Sequence, residues 1–191
     1  MPTSSMHKVN RIAYSNRYMP LWGWHDDHRK HDGTAAYLPA LQQVHSEFSE
    51  FVKVLETTDR RSCLQLGMGA CTASHDVWCA LFGHAITLSL GCSAVAGTSR
   101  PSMDTRSLEA IELAGMHSLY DLLFIDAGHT YAEVEHDHRA YGPMVRPGGI
   151  IAFHDSVRRP QFDGLEVWRY LQTLHGLEYI DGEVGIAWLR A

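Results

Sequence analysis

Apolar residues recur along this chain in two different patterns. Leu41, Val44 and Phe48 follow one another at steps of three and four residues, which predicts an amphipathic helix over residues 39–55 with Pro39 in its first turn. Short continuous apolar runs are typical of buried strands instead. We predict such strands over residues 63–66, 85–90, 93–96, 121–126 and 150–153.

Helix and turn signals lie between these runs. Thr130 and Glu133 have the spacing of a capping box, in which the two side chains satisfy free backbone amides reciprocally, and this predicts a helix that reaches Tyr141. Asp104 is the predicted N-cap of a helix that ends at Gly115. Further signals predict helices over residues 72–82 and 165–174, a turn at residues 147–149, and a hairpin around residues 181–183.

The order of these elements predicts an α/β fold. Strands that alternate with helices imply right-handed crossovers and a mostly parallel, Rossmann-like sheet with helices on both faces, and the C-terminal hairpin implies an antiparallel last strand. We assign this sheet to a domain of residues 39–191. Residues 1–38 lack such a pattern and are the N-terminal arm, for which a lid over a pocket and a homodimer contact both stay open.

Composition narrows the class of protein. The chain has 191 residues, 45% of them hydrophobic and 20% charged, as in an ordinary globular domain, and its net charge of −6 argues against binding to nucleic acid. We expect no membrane span and no signal peptide, hence a cytoplasmic protein, because the apolar runs are short and residues 1–18 are polar. Histidines cluster within residues 24–32, where metal binding and a solvated connecting segment are both open.

Residues that directly follow the predicted strands are the candidates for chemistry, because ligands of parallel sheets bind beyond the carboxyl ends of the strands. Asp126 and Asp155 end two strands that we expect to be neighbours, and a divalent cation would relieve the repulsion between their carboxylates. His154 offers a nitrogen ligand, and His129 has a pKa suited to accepting a substrate proton. Purely structural roles, as helix caps or as partners of one another, stay open for these residues.

Two segments of the chain together resemble a known family. Residues 121–131 read DLLFIDAGHTY and residues 147–155 read PGGIIAFHD. This pair of motifs resembles the class I S-adenosylmethionine-dependent methyltransferases, near the small-molecule O-methyltransferases of the macrocin and catechol types, and the similarity extends over about residues 60–190. The resemblance implies S-adenosylmethionine as cofactor and a hydroxyl group of a small molecule, such as a sugar or natural product, as methyl acceptor.

The resemblance also implies roles for individual residues. Acids after the fourth and fifth strands of metal-dependent members hold magnesium, and the matching positions here are Asp126, His154 and Asp155. The metal acts as a Lewis acid that lowers the pKa of the acceptor hydroxyl. A lysine base of the catechol enzymes matches His129, so His129 and Asp126 are the predicted catalytic residues. The predicted cofactor contacts are Gln65, Gly67, Gly69, Ser89, Ser99 and Asp126.

The half of the chain that would bind the cofactor departs from the family pattern. Gln65 stands where the first strand usually carries an acid, and Ser89 stands near the usual ribose-binding acid. These departures leave a second hypothesis beside a magnesium-dependent O-methyltransferase: a methyltransferase fold without cofactor that serves as a binding or assembly module. A third hypothesis is a metal-dependent hydrolase, because histidine and aspartate residues such as His129, His154 and Asp155 suit a hydrolytic metal.

Overall fold

A computed structural model describes residues 4–13, 37–38, 43–68, 73–90, 101–117 and 119–191. Helices and strands alternate through most of this part of the chain. A 3-10 turn, Gly142–Met144, connects the helix that ends at Tyr141 to the strand that begins at Val145. In chain order the elements are α1 (Ser4–Ala13), β1 (Tyr37–Leu38), β2 (Gln43–Val44), α2 (His45–Leu55), β3 (Ser62–Leu66), α3 (Ala73–Leu81), β4 (His84–Leu88), α4 (Leu108–Gly115), β5 (Tyr120–Ile125), α5 (Tyr131–Tyr141), β6 (Val145–His154), α6 (Val167–Leu171), β7 (Glu178–Ile180) and β8 (Ile186–Arg190).

Six of the strands form one sheet in the order β4-β3-β5-β6-β8-β7, and β1 pairs with β2 in a separate antiparallel ribbon. β4, β3, β5 and β6 are parallel, whereas β8 is antiparallel to both β6 and β7. β5 is buried along its whole length, as expected of a central parallel strand covered on both faces. The predicted fold class, a mostly parallel sheet with an antiparallel C-terminal hairpin, is therefore confirmed.

Apolar side chains fill two layers, one on each face of the sheet. Phe124 of β5 packs in the layer formed with α1, α2 and α3, and its ring centroid lies 5.1 Å from that of Trp78. Leu123, the neighbouring residue of β5, packs in the opposite layer with α4, α5 and α6. Because successive side chains of a strand point to opposite faces, the continuous apolar run of β5 contributes to both layers.

Helix α2 begins six residues later than the pattern predicts. Gln43 and Val44 pair in an antiparallel ladder with Leu38 and Tyr37, so this part of the chain is extended, and α2 begins at His45. The ladder uses the backbone of β2, which is why the helical spacing of its apolar residues does not produce a helix there. Pro39 and Leu41 lie outside the described residues.

Helix α4 is capped by a different residue from the one predicted. The Ser107 hydroxyl accepts a hydrogen bond from the Ala110 amide at 3.2 Å, so α4 begins at Leu108. Asp104 closes the preceding turn instead, because its carboxylate accepts bonds from the backbone amide and the guanidinium of Arg106. The helix predicted over residues 165–174 is also shorter, since α6 spans Val167–Leu171.

The turn predicted at residues 147–149 lies inside strand β6. Tyr120 pairs with Val145 but Leu122 pairs with Ile150, so residues 146–149 form a bulge opposite β5. The third strand predicted over residues 93–96 lies outside the described residues. Ser102 forms an isolated parallel bridge with Ser89 at the edge of the sheet next to β4.

Candidate functional site

A cleft with a volume of about 460 Å³ opens beyond the carboxyl ends of the parallel strands. Ligands of α/β sheets bind at this edge, because the connections that leave the strands there create a crevice. Most of the predicted site residues within the described part of the chain lie on its wall. The wall includes one glycine and several polar side chains: Gly67, Ser89, Asp126, His129, His154, Asp155 and Arg159.

Gly67 brings the end of β3 into close contact with the end of β5. Its φ is +80°, and a Cβ at this position would lie 1.9 Å from the backbone oxygen of Asp126. The Gly67 amide donates to the Leu88 oxygen at 2.7 Å, and the Asp126 amide donates to the Leu66 oxygen at 2.8 Å. A residue without a side chain is therefore required where the chain passes the Asp126 backbone.

The ends of β5 and β6 place Asp126, His154 and Asp155 together, as the sequence predicts. Nδ1 of His154 lies 3.0 Å from Oδ1 of Asp126 and 3.5 Å from Oδ2 of Asp155. The His154 side chain is only 6% exposed. Its burial lowers the pKa of the imidazole, but the charges and hydrogen bonds of the two carboxylates outweigh this and raise the pKa of His154 to about 10.

Asp155 is bound by three positively charged or protonatable side chains. Besides His154, Nε2 of His129 lies 2.9 Å from Oδ2 of Asp155, and Nη2 of Arg159 donates to Oδ1. Burial raises the pKa of the Asp155 carboxyl, but hydrogen bonds from His129 and His154 and the charge of Arg159 hold this pKa well below its usual range. Asp155 has a φ of +56°, in the left-handed region, which aspartate tolerates better than most residues.

His129 is the more accessible histidine of the site. Its side chain is 40% exposed and lines the cleft, and its Nε2 is held by Asp155. The hydrogen bond to Asp155 raises the pKa of His129, although its partial burial opposes the shift. A carboxylate that fixes one ring nitrogen leaves the other, Nδ1, as the atom that can accept a proton, which is the arrangement of a general base.

Asp126, His154 and Asp155 are also arranged to hold a cation. Within the part of the chain that the structure describes, they are the one group of three potential ligands, with one ligand atom of each lying within 4.8 Å of the others. Two ligands at right angles on a cation with bonds of about 2.1 Å lie about 3 Å apart. The 3.0 Å between His154 Nδ1 and Asp126 Oδ1 fits this spacing, so the residues present fit a divalent cation.

A family model described as a methyltransferase domain matches residues 91–156, which contain both predicted motifs. The sheet order and the carboxylates beyond β5 and β6 agree with this match. Residues 91–156 of the chain are thus similar to a methyltransferase domain. This similarity agrees with the family to which the two motifs pointed and with the prediction of an enzyme of the methyltransferase class.

Solved structures with the same fold include several O-methyltransferases. MycE from the mycinamycin biosynthetic pathway, in complex with Mg and SAH, is 16% identical with a TM-score of 0.58 over 96% of this chain and 54% of that chain. TomG from Streptomyces achromogenes, involved in tomaymycin synthesis and solved with SAM, is 13% identical, with a TM-score of 0.52 over 100% of this chain and 91% of that chain. An O-methyltransferase from Bacillus cereus in complex with SAH is 15% identical, with a TM-score of 0.51 over 99% of this chain and 91% of that chain.

These similarities show that the chain shares the fold of these proteins. The chain spans about half of the length of MycE, since the alignment covers 54% of that protein. No curated protein matches the chain in sequence. A helix long and apolar enough to cross a membrane does not occur in the described parts of the chain.

Two residues predicted to contact the cofactor form hydrogen bonds within the protein. Gln65 is buried, where its Nε2 donates to Ser74 and its Oε1 accepts from Thr87, and it is not among the residues that line the cleft. Ser89 does line the cleft, but its hydroxyl accepts a hydrogen bond from the Met68 amide at 3.1 Å. Gly69 and Ser99 lie outside the described residues.

The structure adds two residues that the motifs did not single out. Arg159 binds Asp155 from four residues downstream, a spacing of acid and arginine that is visible in the sequence. Glu166 fixes the loop that carries His129: its amide donates to the His129 oxygen at 2.7 Å, and its carboxylate accepts from the Tyr131 amide at 3.0 Å. No local sequence pattern indicates this second contact, because 35 residues separate Glu166 from Tyr131.

Proposed function

We propose that the domain transfers a methyl group from S-adenosylmethionine to a hydroxyl group of a small molecule, such as a sugar or natural product. The observation that carries the proposal is the convergence of Asp126, His129, His154 and Asp155 on one cleft beside Gly67. The complexes of MycE, TomG and the Bacillus cereus enzyme with SAH or SAM support this choice of cofactor for the same fold.

The cofactor side of the proposed site lies at the ends of β3 and β4. Gly67, Ser89 and Leu90 form this part of the cleft wall, together with Asp104 and Thr105, which follow the bridge at Ser102. Gly67 approaches the Asp126 backbone too closely for a side chain, so the ends of β3 and β5 form one continuous part of this wall. When bound, S-adenosylmethionine supplies a methyl group on a positively charged sulfur that keeps the electron pair of the broken carbon–sulfur bond.

His129 is the proposed general base. Asp155 holds Nε2, so Nδ1 takes the proton from the acceptor hydroxyl while the oxygen forms its bond to the methyl carbon. Arg159 fixes the opposite oxygen of Asp155, and Glu166 fixes the backbone of His129. These contacts orient the base before the acceptor binds, and positioning of this kind supplies much of the acceleration in a displacement reaction.

Asp126, His154 and Asp155 are the residues that would hold a divalent cation, for which the resemblance suggests magnesium. When bound, such a cation acts as a Lewis acid that lowers the pKa of the acceptor hydroxyl.

The proposed function is tested by calorimetric titration of the full chain with S-adenosylhomocysteine, combined with transfer of a labelled methyl group to a panel of sugars and phenols. We expect the wild type and His129→Gln to bind S-adenosylhomocysteine with equal affinity. We expect methyl transfer to fall by about 10²–10⁴-fold in the variant, because it lacks the base. Failure of the folded wild type to bind at millimolar concentration would support the binding-module hypothesis instead.

A further inference from the structure

The candidate cation site contains one nitrogen ligand beside its two carboxylates. His154 is the last residue of β6, and its backbone is held in register with Ile186 of β8. Its ring packs near Phe124, with 6.2 Å between centroids, and its side chain is 6% exposed. These contacts hold the imidazole in the end of the strand, and Nδ1 is directed at the two carboxylates.

We infer that the cation of this site is a first-row transition-metal dication, such as Mn²⁺, Fe²⁺, Co²⁺ or Zn²⁺, bound through Nδ1 of His154, rather than Mg²⁺. The inference rests on the proposed function, since it names the cation of the same site. It concerns the ligand chemistry of this chain, in which an imidazole stands between two carboxylates.

The donor atoms favour this class of cation. Mg²⁺ is a hard cation that prefers a shell of oxygen ligands and keeps much of its own water. Imidazole nitrogen suits zinc, iron, copper and nickel, and affinity for mixed nitrogen and oxygen sites rises along the first transition row from Mn²⁺. A buried nitrogen in a fixed position therefore adds affinity for a transition metal and adds little for magnesium.

The carboxylates of the site strengthen the preference for a transition metal, because one of them, Asp155, also binds other side chains of the protein. Asp155 is bonded to both Arg159 and His129, so part of its negative charge is balanced within the protein. A magnesium site depends mainly on carboxylate charge, whereas a transition metal gains in addition from the bond to nitrogen. Asp126 and the His154 nitrogen, 3.0 Å apart, are the pair of ligands that decides the selectivity.

The test measures metal binding directly on the metal-stripped full chain. Calorimetric titrations with MnCl₂, CoCl₂ and MgCl₂ give the affinities, and pulsed EPR of the Mn²⁺ complex detects magnetic coupling to a directly bound ¹⁴N nucleus. We expect Mn²⁺ and Co²⁺ to bind roughly tenfold or more tightly than Mg²⁺, with ¹⁴N coupling present. Equal or tighter binding of Mg²⁺, or no coupling to ¹⁴N, would overturn the inference.

Variants identify the source of the nitrogen. His154→Glu should lose the ¹⁴N coupling and reduce the preference for Mn²⁺ over Mg²⁺ by about tenfold, with His154→Asn as a second variant if the first does not fold. The matched control is His129→Gln, in which the coupling should persist. Replacement of His25, His28 and His31 by glutamine tests the histidine-rich arm, and loss of binding in this variant alone would contradict the assignment to His154.

S-adenosylhomocysteine binding, measured on the same samples, separates the two proposals. If S-adenosylhomocysteine binds and no dication does, the cation inference fails while the proposed cofactor stands, and protonated His154 then balances the two carboxylates by itself. If the dications bind with the expected order and S-adenosylhomocysteine does not, the cation site stands and the methyltransferase proposal fails.

Discussion

Gly67, directly after β3, determines how closely the end of this strand approaches the end of β5. Gly67 and Gly148 share a φ of +80°, but the space around them differs. A Cβ on Gly67 would meet the Asp126 backbone at 1.9 Å, whereas nothing lies within 4 Å of a Cβ on Gly148. The two glycines therefore separate the effect of backbone strain from the effect of close contact.

This comparison gives a prediction for stability. Gly148→Ala should lower the free energy of unfolding by about 1–2 kcal/mol, the cost of a left-handed conformation for alanine. Gly67→Ala should cost clearly more, because the Asp126 backbone must also move. Urea denaturation of both variants measures the difference, and equal losses would show that the contact between β3 and β5 is not tight.

Asp137 of α5 is an example of a buried acid. It is 1% exposed, and neither of its carboxylate oxygens has a partner in hydrogen-bond geometry among the described residues, although the nearby Thr105 lowers its pKa. Burial raises its pKa from 3.8 to about 6. The folded chain thus holds a proton at Asp137 more strongly than the unfolded chain does between these two pH values.

Stability should therefore fall as the pH rises from about 4 to 6, with a contribution from Asp137 of about 2–3 kcal/mol. Asp137→Asn removes this contribution. We expect the variant to be more stable than the wild type at pH 7.5 and close to it at pH 4, as measured by urea denaturation at both pH values. The same difference between variant and wild type at pH 4 and 7.5 would contradict the assigned pKa.

Helix α2 is joined to the cleft wall by a contact that no local sequence pattern indicates. Glu47 lies in α2 and is 3% exposed, and its carboxylate accepts hydrogen bonds from the amides of Glu183, Val184 and Gly185. These amides belong to the loop between β7 and β8, and Val184 lines the cleft. Helix α2 thus holds a segment of the cleft wall that lies 136 residues away in sequence.

The hydrogen bonds of Glu47 should contribute measurably to the stability of the domain. Glu47→Ala should destabilise the domain by about 2–4 kcal/mol, because it leaves buried amides without an acceptor. Glu50→Ala is the matched control on the same helix. Glu50 pairs with Lys53 in solvent, with both side chains more than half exposed, so its loss should cost less than about 0.5 kcal/mol. Chemical denaturation compares them, and similar losses would contradict the role of Glu47.

The sequence predicts elements well where the signal is local. The Thr130–Glu133 capping box is present with both of its bonds, and the apolar run of β5 is a buried strand. The start of α2 was predicted wrongly because the pairing of β2 with β1 is not visible in a periodicity. The cap of α4 was predicted wrongly because Asp104 and Ser107 are both good caps, and the local pairing of Asp104 with Arg106 decides between them.

The order of the strands in the sheet brings the residues of the site together. β5 and β6 are neighbours in the sheet, so Asp126 and Asp155 lie side by side as predicted from the alternation of elements. The contact of His129 with Asp155 was not predictable, since it depends on the left-handed backbone of Asp155 and on a loop fixed by Glu166. Sequence order thus predicts which residues meet, and the loop geometry determines their hydrogen bonds.

A crystal structure of the full chain with S-adenosylhomocysteine and MnCl₂ would locate the cofactor and the cation together. We expect S-adenosylhomocysteine in the cleft beside Gly67, with a metal ion bound to Asp126, His154 and Asp155 and with His129 facing the space between the ion and the cofactor. A structure with S-adenosylhomocysteine bound outside this cleft, or with the side chains of Asp126 and Asp155 turned away from each other, would contradict this expectation.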